Sequence, residues 1–149
     1  MPELIEESMV VLDLAADDKD AAVRVLAERL AAAGRVTDVE QFLADVRARE
    51  QVMATGLEGG IGIPHARSIA VTAASLAFGR SPARVDFGAS DGPADLIFLI
   101  AAPAEGGAEH MTILASLARR LVHGSFRESL RSLSGAAEVA ALINREVGA

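Results

Sequence analysis

One segment, Asp95 to Ala102, constrains the fold of this chain more than any other. After its first residue the segment is continuously apolar, and the run extends through Ala104 with one proline. A short apolar run of this kind is typical of a central β-strand that is buried on both faces of its sheet. Even at its full length, the run is far too short to span a lipid bilayer.

Helical patterns alternate with strand patterns along the rest of the chain. The pairs Asp17-Asp18 and Thr37-Asp38 each offer a cap for the start of an amphipathic helix, and Gly34 is placed to end the first of these helices. The apolar spacing predicts further helices over residues 109–122, around 126–133 and after Ser134, and strands over 9–14, 61–63, 74–80 and 85–87. This alternation predicts a single α/β domain from about residue 8 to residue 147.

The composition agrees with one packed domain. The chain has 149 residues, of which 51% are hydrophobic and only 3% aromatic. A chain of this length buries about two thirds of its unfolded surface on folding. The core must therefore consist mainly of Ala, Val, Leu and Ile side chains together with five Phe residues.

Charge and cysteine content exclude several classes of function. The net charge is -7, and 14 basic residues are scattered among 21 acidic ones. We therefore expect no binding to nucleic acid and none to an anionic membrane surface. The chain has no cysteine, which excludes thiol chemistry and cysteine-based zinc sites. Its N-terminus lacks a signal-peptide pattern, and we expect a cytoplasmic protein.

Nucleotide-binding motifs are also missing. No phosphate-binding loop of the Gly-x-x-x-x-Gly-Lys-Ser/Thr type occurs in the sequence. The segment from Gly60 to His65 begins like a dinucleotide fingerprint, but it lacks the third glycine, and Pro64 stands where a helix should open. We therefore expect no nucleotide cofactor.

Two of the three histidines are candidates for chemistry. His123 lies at the end of a predicted helix and is interpreted as a surface residue. His65 and His110 lie at element boundaries, where functional sites tend to form. Glycines before His65 permit close approach of the backbone to a bound group, and Pro64 restricts the local chain. Residue chemistry alone leaves open that either histidine is purely structural, or that both bind a metal with Glu109.

Two segments, taken together, carry a family resemblance. The first contains Arg49-Glu50, Thr55-Gly56 and Gly60-Ile61-Gly62-Ile63-Pro64-His65. The second runs from Leu96 to Pro103 and is followed by His110 and by Leu114-Ala115-Ser116-Leu117-Ala118-Arg119. In this order they resemble the fructose–mannitol type of enzyme IIA of the bacterial sugar phosphotransferase system. The resemblance extends from about Val10 to Ile143.

The resemblance implies a function, partners and site residues. His65 would be phosphorylated at Nε2 by the phosphorylated carrier protein HPr. The phosphoryl group would then pass to a cysteine of an enzyme IIB domain during uptake of fructose or mannitol through a membrane permease. His110 and Arg49 would lie beside His65. The implied fold is a mixed five-stranded sheet with helices on both faces, and neither metal nor cofactor is expected.

The mechanism suggests further expectations. Neutral His65 requires a hydrogen-bond acceptor for Nδ1–H, for which a backbone carbonyl is the usual partner. We expect donors to the phosphoryl group from Arg49, His110 and the loop amides around Thr55, Gly56, Gly59 and Gly60. One departure from the family pattern is Gly62, where alanine is usual. Its missing methyl group is expected to loosen the strand slightly and to leave the chemistry intact.

Two other functions remain open at this point. A regulatory enzyme IIA of the nitrogen-related type would signal through its phosphorylation state and would not supply a transporter. An α/β domain that binds a ligand without catalysis is the second alternative. The sequence identifies neither the sugar nor the oligomeric state.

Overall fold

The computed structural model describes residues 3–106 and 109–148. These residues form five α-helices: α1 (Lys19–Ala32), α2 (Val39–Val52), α3 (Glu109–Leu121), α4 (Gly124–Ser132) and α5 (Ala136–Glu146). They also form six strands: β1 (Val10–Val11), β2 (Gly56–Leu57), β3 (Ile61–Gly62), β4 (His65–Ser68), β5 (Ser75–Val85) and β6 (Ala94–Pro103). The predicted single α/β domain is confirmed.

The strands form one mixed sheet in the order β1-β5-β6-β3-β2. β6 is antiparallel to β5 on one side and parallel to β3 and β4 on the other. β3 and β4 follow one another along the same side of β6, and Pro64 lies in the gap between them. Counted as one interrupted strand, they give five strands, the number that the family resemblance implies, although β2 is not among the strands predicted from the sequence pattern.

The apolar run of the sequence lies at the centre of the sheet. Every side chain from Leu96 to Ala101 is fully buried. Because successive side chains of a strand point to opposite faces, both faces of the sheet must be covered. α1 and α2 pack against each other and against β5 and β4, while α3 packs against β6, α4 and α5. The prediction of a doubly covered central strand is confirmed.

The helix caps also agree with the sequence. The carboxylate of Asp18 accepts a hydrogen bond from the amide of Ala21, and that of Asp38 accepts one from Gln41. Each bond satisfies an amide in the first helical turn that has no partner within the helix. Gly34, just beyond α1, has a φ of 79°, a left-handed conformation that glycine adopts without strain.

Strand β5 differs from the prediction of two separate strands over 74–80 and 85–87. It continues past Pro82 to Val85, with a register shift between Arg80 and Val85, and Arg84 has a φ of 67°. A bulge of this kind takes up the proline and lets pairing resume. The predicted cap Ser134 is also displaced, since α5 begins after Gly135.

The packed unit includes residues that precede the predicted boundary at residue 8. Ile5 is fully buried in the core, and Asn144 of α5 bonds both its amide and its carbonyl. Glu6 forms an ion pair with the buried Arg35 at 2.7 Å. Within the described ranges, no helix is both long enough and apolar enough to cross a bilayer.

Candidate functional site

His65 begins β4, where the parallel pairing with β6 resumes after Pro64. Its register partner is Ile100, whose amide donates to the carbonyl of Pro64 at 3.0 Å. The side chain is only 9% exposed. The backbone that carries this imidazole is therefore held by the central strand of the sheet.

The orientation of the imidazole is fixed by the backbone two residues earlier. Nδ1 of His65 lies 2.8 Å from the carbonyl oxygen of Ile63. A carbonyl only accepts hydrogen bonds, so Nδ1 must carry the proton and donate it. The neutral ring therefore has its lone pair on Nε2, which makes Nε2 the nucleophilic nitrogen. Ile63 supplies the carbonyl that the sequence analysis expected but did not identify.

Arg49 and His110 lie in the same pocket as His65. This open pocket has a volume of about 540 Å³, and its wall includes Arg67 and Asp45 as well as these three residues. The Arg49 guanidinium donates to the carbonyl of Met53 at 3.1 Å, just beyond the end of α2. The structure thus brings together three residues that lie up to 61 positions apart in the sequence.

Several groups act on the pKa of His65. Burial has the largest effect and lowers this pKa, while the hydrogen bond to Ile63 raises it. The positive charge of Arg49 lowers it further, and the negative charge of Glu50 raises it. The net result is a pKa below the ordinary histidine value, so the ring is neutral at pH 7. Because folding disfavours protonation of this ring, His65 lowers the free energy of unfolding as the pH falls below the ordinary histidine pKa.

His110 is in the first turn of α3 and is partly buried. Burial lowers its pKa, and the charge of Arg67 lowers it further. Its Nδ1 is buried and has no hydrogen-bond partner among the described residues. Both pocket histidines are therefore neutral at pH 7, and the positive charge of the pocket comes from its two arginines.

Arg67 is a pocket residue that the sequence analysis missed. Its guanidinium donates to the carbonyls of Ala104 and Gly106, at 2.7 and 3.0 Å. These bonds connect β4 to the chain that leads into α3 and His110. The partners are backbone atoms 37 and 39 positions away, so no local pattern indicates them. The sequence shows only that a basic residue lies two positions after His65.

Replacement of Arg67 by glutamine is expected to raise the pKa of His110. The substitution removes the positive charge that disfavours protonation of His110, and burial alone then depresses this pKa. A histidine titration followed by NMR measures the change. Arg119→Gln, an exposed arginine on the same helix, is the control. A His110 pKa that is equal in the Arg67→Gln variant and the parent chain would refute the assignment.

Three amides of the predicted phosphoryl-binding loop (Thr55, Gly56, Gly59 and Gly60) have partners within the chain. The amide and hydroxyl of Thr55 both donate to the carboxylate of Glu50. The amide of Gly56 donates to the carbonyl of Phe87, and that of Gly59 to the carboxylate of Asp91. The amides of Thr55, Gly56 and Gly59 would have to give up these partners in order to bind an anion.

Gly59 and Gly60 lie at the opposite end of the interrupted strand from His65. The carbonyl of Gly60 accepts from the amides of Asp95 and Leu96, at the beginning of β6. His65 pairs with Ile100, five positions further along β6, which corresponds to about 16 Å. A Cβ on Gly60 would lie 2.5 Å from the carboxylate of Asp95, so glycine is required there by packing.

The departure at Gly62 also has a packing reason. A Cβ at this position would lie 2.7 Å from ring atoms of Phe87, which is almost fully buried. In this chain the aromatic ring occupies the space of the missing methyl group. The expected loosening of the strand is thus offset by a tight contact.

The metal alternative gains no support. The described residues contain no group of three His, Cys, Asp or Glu side chains placed to hold a metal ion. The side chain of Glu109, the suggested third ligand, lies outside the described part of the structure. His123 is exposed, in agreement with its interpretation as a surface residue, and it lies immediately before the start of α4.

Four exposed apolar side chains lie close in the sequence to residues of the pocket. Val52 and Met53 follow Arg49 at the end of α2, Ile69 follows the strand that begins at His65, and Met111 follows His110. These four side chains, which we call the apolar rim, are 57–81% exposed. Exposed apolar side chains of this kind are typical of a surface that meets another protein.

Comparisons with known proteins agree with this geometry. The profile of the family described as phosphoenolpyruvate-dependent sugar phosphotransferase system, EIIA 2, matches residues 3–146. A protein of Haloferax volcanii named PTS system fructose-specific EIIA component is 43% identical over 113 residues, which cover 75% of this chain and 73% of that protein. The fructose-specific EIIABC component of Bacillus subtilis is 30% identical over 144 residues. The matched region covers 96% of this chain but only 23% of that protein.

Solved structures share the fold. Nitrogen regulatory protein IIA-Ntr from Neisseria meningitidis has a TM-score of 0.85 and 33% identity, covering 94% of this chain and 96% of that one. Enzyme IIA mannitol of Escherichia coli, in its complex with phosphorylated enzyme IIB mannitol, has a TM-score of 0.77 and 28% identity, covering 91% and 94%. The chain belongs to the EIIA 2 family of the phosphoenolpyruvate-dependent sugar phosphotransferase system.

Proposed function

We propose that this chain carries a phosphoryl group on Nε2 of His65, which it accepts from phosphorylated HPr and passes to a cysteine of an enzyme IIB domain. The hydrogen bond from Nδ1 of His65 to Ile63 is the observation that carries the proposal, since it leaves Nε2 as the unprotonated nitrogen. The transported sugar is fructose, in line with the 43% identical relative, and mannitol is the second choice. The cytoplasmic location and the indirect link to a permease belong to the same proposal.

Each transfer exchanges one bond for another. In loading, the lone pair of Nε2 of His65 attacks the phosphorus of phosphorylated HPr, and the bond from phosphorus to the donor nitrogen breaks. In unloading, a cysteine thiolate of enzyme IIB attacks the same phosphorus, and the bond to Nε2 breaks. Nδ1–H of His65 stays bonded to Ile63 throughout, so the ring needs no proton transfer in either step.

The pocket stabilises the group during transfer. In the transition state, the transferred phosphoryl group spreads negative charge over its three equatorial oxygens. Catalysis is therefore mainly positioning and charge stabilisation. Arg49 is the proposed main donor to these oxygens, and His110 a second one. Arg67, which also lines the pocket, contributes further positive charge. The apolar rim gives HPr and enzyme IIB a common docking surface around His65.

The regulatory alternative has one observation in its favour. The IIA-Ntr structure, from a nitrogen regulatory protein, superposes with a higher TM-score than the mannitol enzyme does. The two functions differ in the acceptor and share the loading step. Transfer to a fructose-type enzyme IIB domain supports the transport function, and loading without such transfer supports the regulatory one.

A two-step transfer assay tests the proposal. The chain is incubated with phosphorylated HPr, and a phosphohistidine is sought by ³¹P NMR and by mass spectrometry. A fructose-type enzyme IIB domain is then added, and its phosphocysteine is measured. We expect both species to form in sequence. A chain that remains unmodified with an active HPr preparation would refute the carrier function and leave a non-catalytic ligand-binding domain.

Replacing Arg49 with alanine is expected to slow loading about a hundredfold, which is typical for loss of one donor to a charged transition state. The side chain lines the pocket and packs no large apolar surface, so the fold should persist. Rapid-quench kinetics with phosphorylated HPr give the rate. Arg119→Ala, which removes an exposed arginine from α3, should load like the parent chain. Loading of Arg49→Ala at the parent rate would make Arg49 a structural residue.

A further inference from the structure

Glu50 is a buried carboxylate that the transfer chemistry does not use directly. It follows Arg49 on α2, but its side chain is only 7% exposed. One carboxylate oxygen accepts from the hydroxyl of Thr55 at 2.8 Å, and the other accepts from the amide of Thr55 at 2.9 Å. A buried charge is costly unless it is hydrogen-bonded in this way, so its presence needs a reason.

The partners of Glu50 lead to the nucleophile. The carbonyl of Thr55 accepts a hydrogen bond from the amide of Ile63 at 3.2 Å. The carbonyl of the same Ile63 accepts from Nδ1–H of His65. Glu50, Thr55 and Ile63 thus form a continuous chain of hydrogen bonds that ends at the imidazole.

We propose that Glu50 is a positioning residue for His65: by fixing Thr55 and, through it, the Ile63 carbonyl, it holds the imidazole in the tautomer that exposes the Nε2 lone pair. This role rests on the proposed function, because only a nucleophilic His65 requires a fixed tautomer. At metal sites, removing a group that orients a ligating histidine commonly costs about 10–100-fold in affinity or activity, and we expect an effect of similar size here.

The charge of Glu50 adds a second effect. Its closest cation is Lys19 of α1, whose Nζ lies 3.7 Å away and is partly exposed to solvent. Arg49 and His110 face His65 and disfavour its protonation, whereas the negative charge of Glu50 opposes them. The hydrogen bonds and the charge of Glu50 can be separated by two substitutions at this one position.

Glu50→Gln is expected to keep the hydrogen bonds and lose the charge. The glutamine oxygen can accept from the Thr55 amide, and its NH₂ group can donate to the Thr55 hydroxyl. The Nδ1–H tautomer of His65 should therefore persist, while the His65 pKa falls. Glu50→Ala removes both bonds, and we expect a mixture of the two His65 tautomers and loading slowed about 10–100-fold.

The measurement is a long-range ¹H–¹⁵N correlation spectrum of the imidazoles, recorded across pH in the whole chain without any donor protein. It reports the tautomer and the pKa of His65 directly. Thr55→Val, which removes one of the two bonds, serves as a second variant if Glu50→Ala fails to fold. It should change the tautomer populations of His65 in the same direction, but by less. Glu40→Gln, an equal charge change at the exposed face of α2, is the control and should leave His65 unchanged.

The outcomes separate the two proposals. An unchanged tautomer, pKa and loading rate of His65 in folded Glu50→Ala, or in both Glu50→Gln and Thr55→Val, would overturn the role of Glu50. A parent chain that shows the Nδ1–H tautomer but accepts no phosphoryl group would instead overturn the proposed function. Recovery of the tautomer in Glu50→Gln, with loss in Glu50→Ala, would support the positioning role over a merely structural one.

Discussion

Replacement of His65 by alanine is expected to abolish loading from phosphorylated HPr, with a loss of more than about a thousandfold, as for removal of a nucleophile in other enzymes. The pocket would keep Arg49, His110 and Arg67, but it would have no lone pair in position to attack phosphorus. His110 does not replace His65, because it lies on a different element and lacks the carbonyl partner that fixes the ring of His65. Phosphohistidine formation, followed by mass spectrometry, measures the loss.

The matched control is His123→Ala. His123 is exposed at the start of α4 and lies outside the pocket that contains His65. We expect this variant to load at the parent rate. Persistent phosphorylation of folded His65→Ala would place the phosphoryl group on another residue and remove the basis of the proposed mechanism.

Replacement of Phe98 by alanine is expected to lower the free energy of unfolding by about 3–5 kcal/mol, the usual cost of deleting a buried phenyl ring. Phe98 is fully buried at the centre of β6, and its ring lies 5.1 Å from that of Phe78 on the neighbouring strand. The chain has only five Phe residues and neither Trp nor Tyr, so this pair is a large share of its aromatic core. A loss of this size is a large part of the stability of an ordinary domain.

Urea denaturation, followed by circular dichroism, measures this loss. Val122→Ala is the control, because its side chain is 73% exposed and its removal should change the free energy of unfolding by less than about 0.5 kcal/mol. If Phe98→Ala and Val122→Ala unfolded at the same urea concentration, β6 would not be the central packing element that the structure shows.

The features of the fold that could be predicted from sequence are those set by neighbouring residues. The apolar run of β6 indicates a strand buried on both faces, and Asp18 and Asp38 indicate helix starts through bonds to amides three positions away. The sequence pattern does not predict β4, because Pro64 has no amide hydrogen to donate and normally ends a strand. In the structure, pairing resumes at His65 because the carbonyl of Pro64 still accepts a bond from β6.

The candidate site could be predicted in part, because some of its residues belong to recognisable motifs. His65, Arg49 and His110 belong to motifs with a family order, and the structure brings them into one pocket. The glycine-rich loop was assigned to the phosphoryl group because glycine permits close approach to an anion. Here glycine at position 60 permits close approach to Asp95, which local sequence cannot distinguish from a ligand. Arg67 could not be predicted as a pocket residue, because its hydrogen-bond partners are backbone carbonyls far away in the sequence.

The hydrogen bond between His65 and Ile63 has a consequence for the direction of flow, given the proposed function. Nδ1–H of the free ring donates to Ile63, and the proposed mechanism keeps this bond after phosphorylation, so donor and acceptor would meet the same atom in the same place. The carrier then imposes no direction of its own, and net transfer follows the ratio of phosphorylated to free partners. When the acceptor stays phosphorylated, the phosphorylated fraction of the carrier rises, and the phosphorylated fraction of the donor rises after it. The occupancy of one nitrogen atom therefore reports the balance between supply and demand.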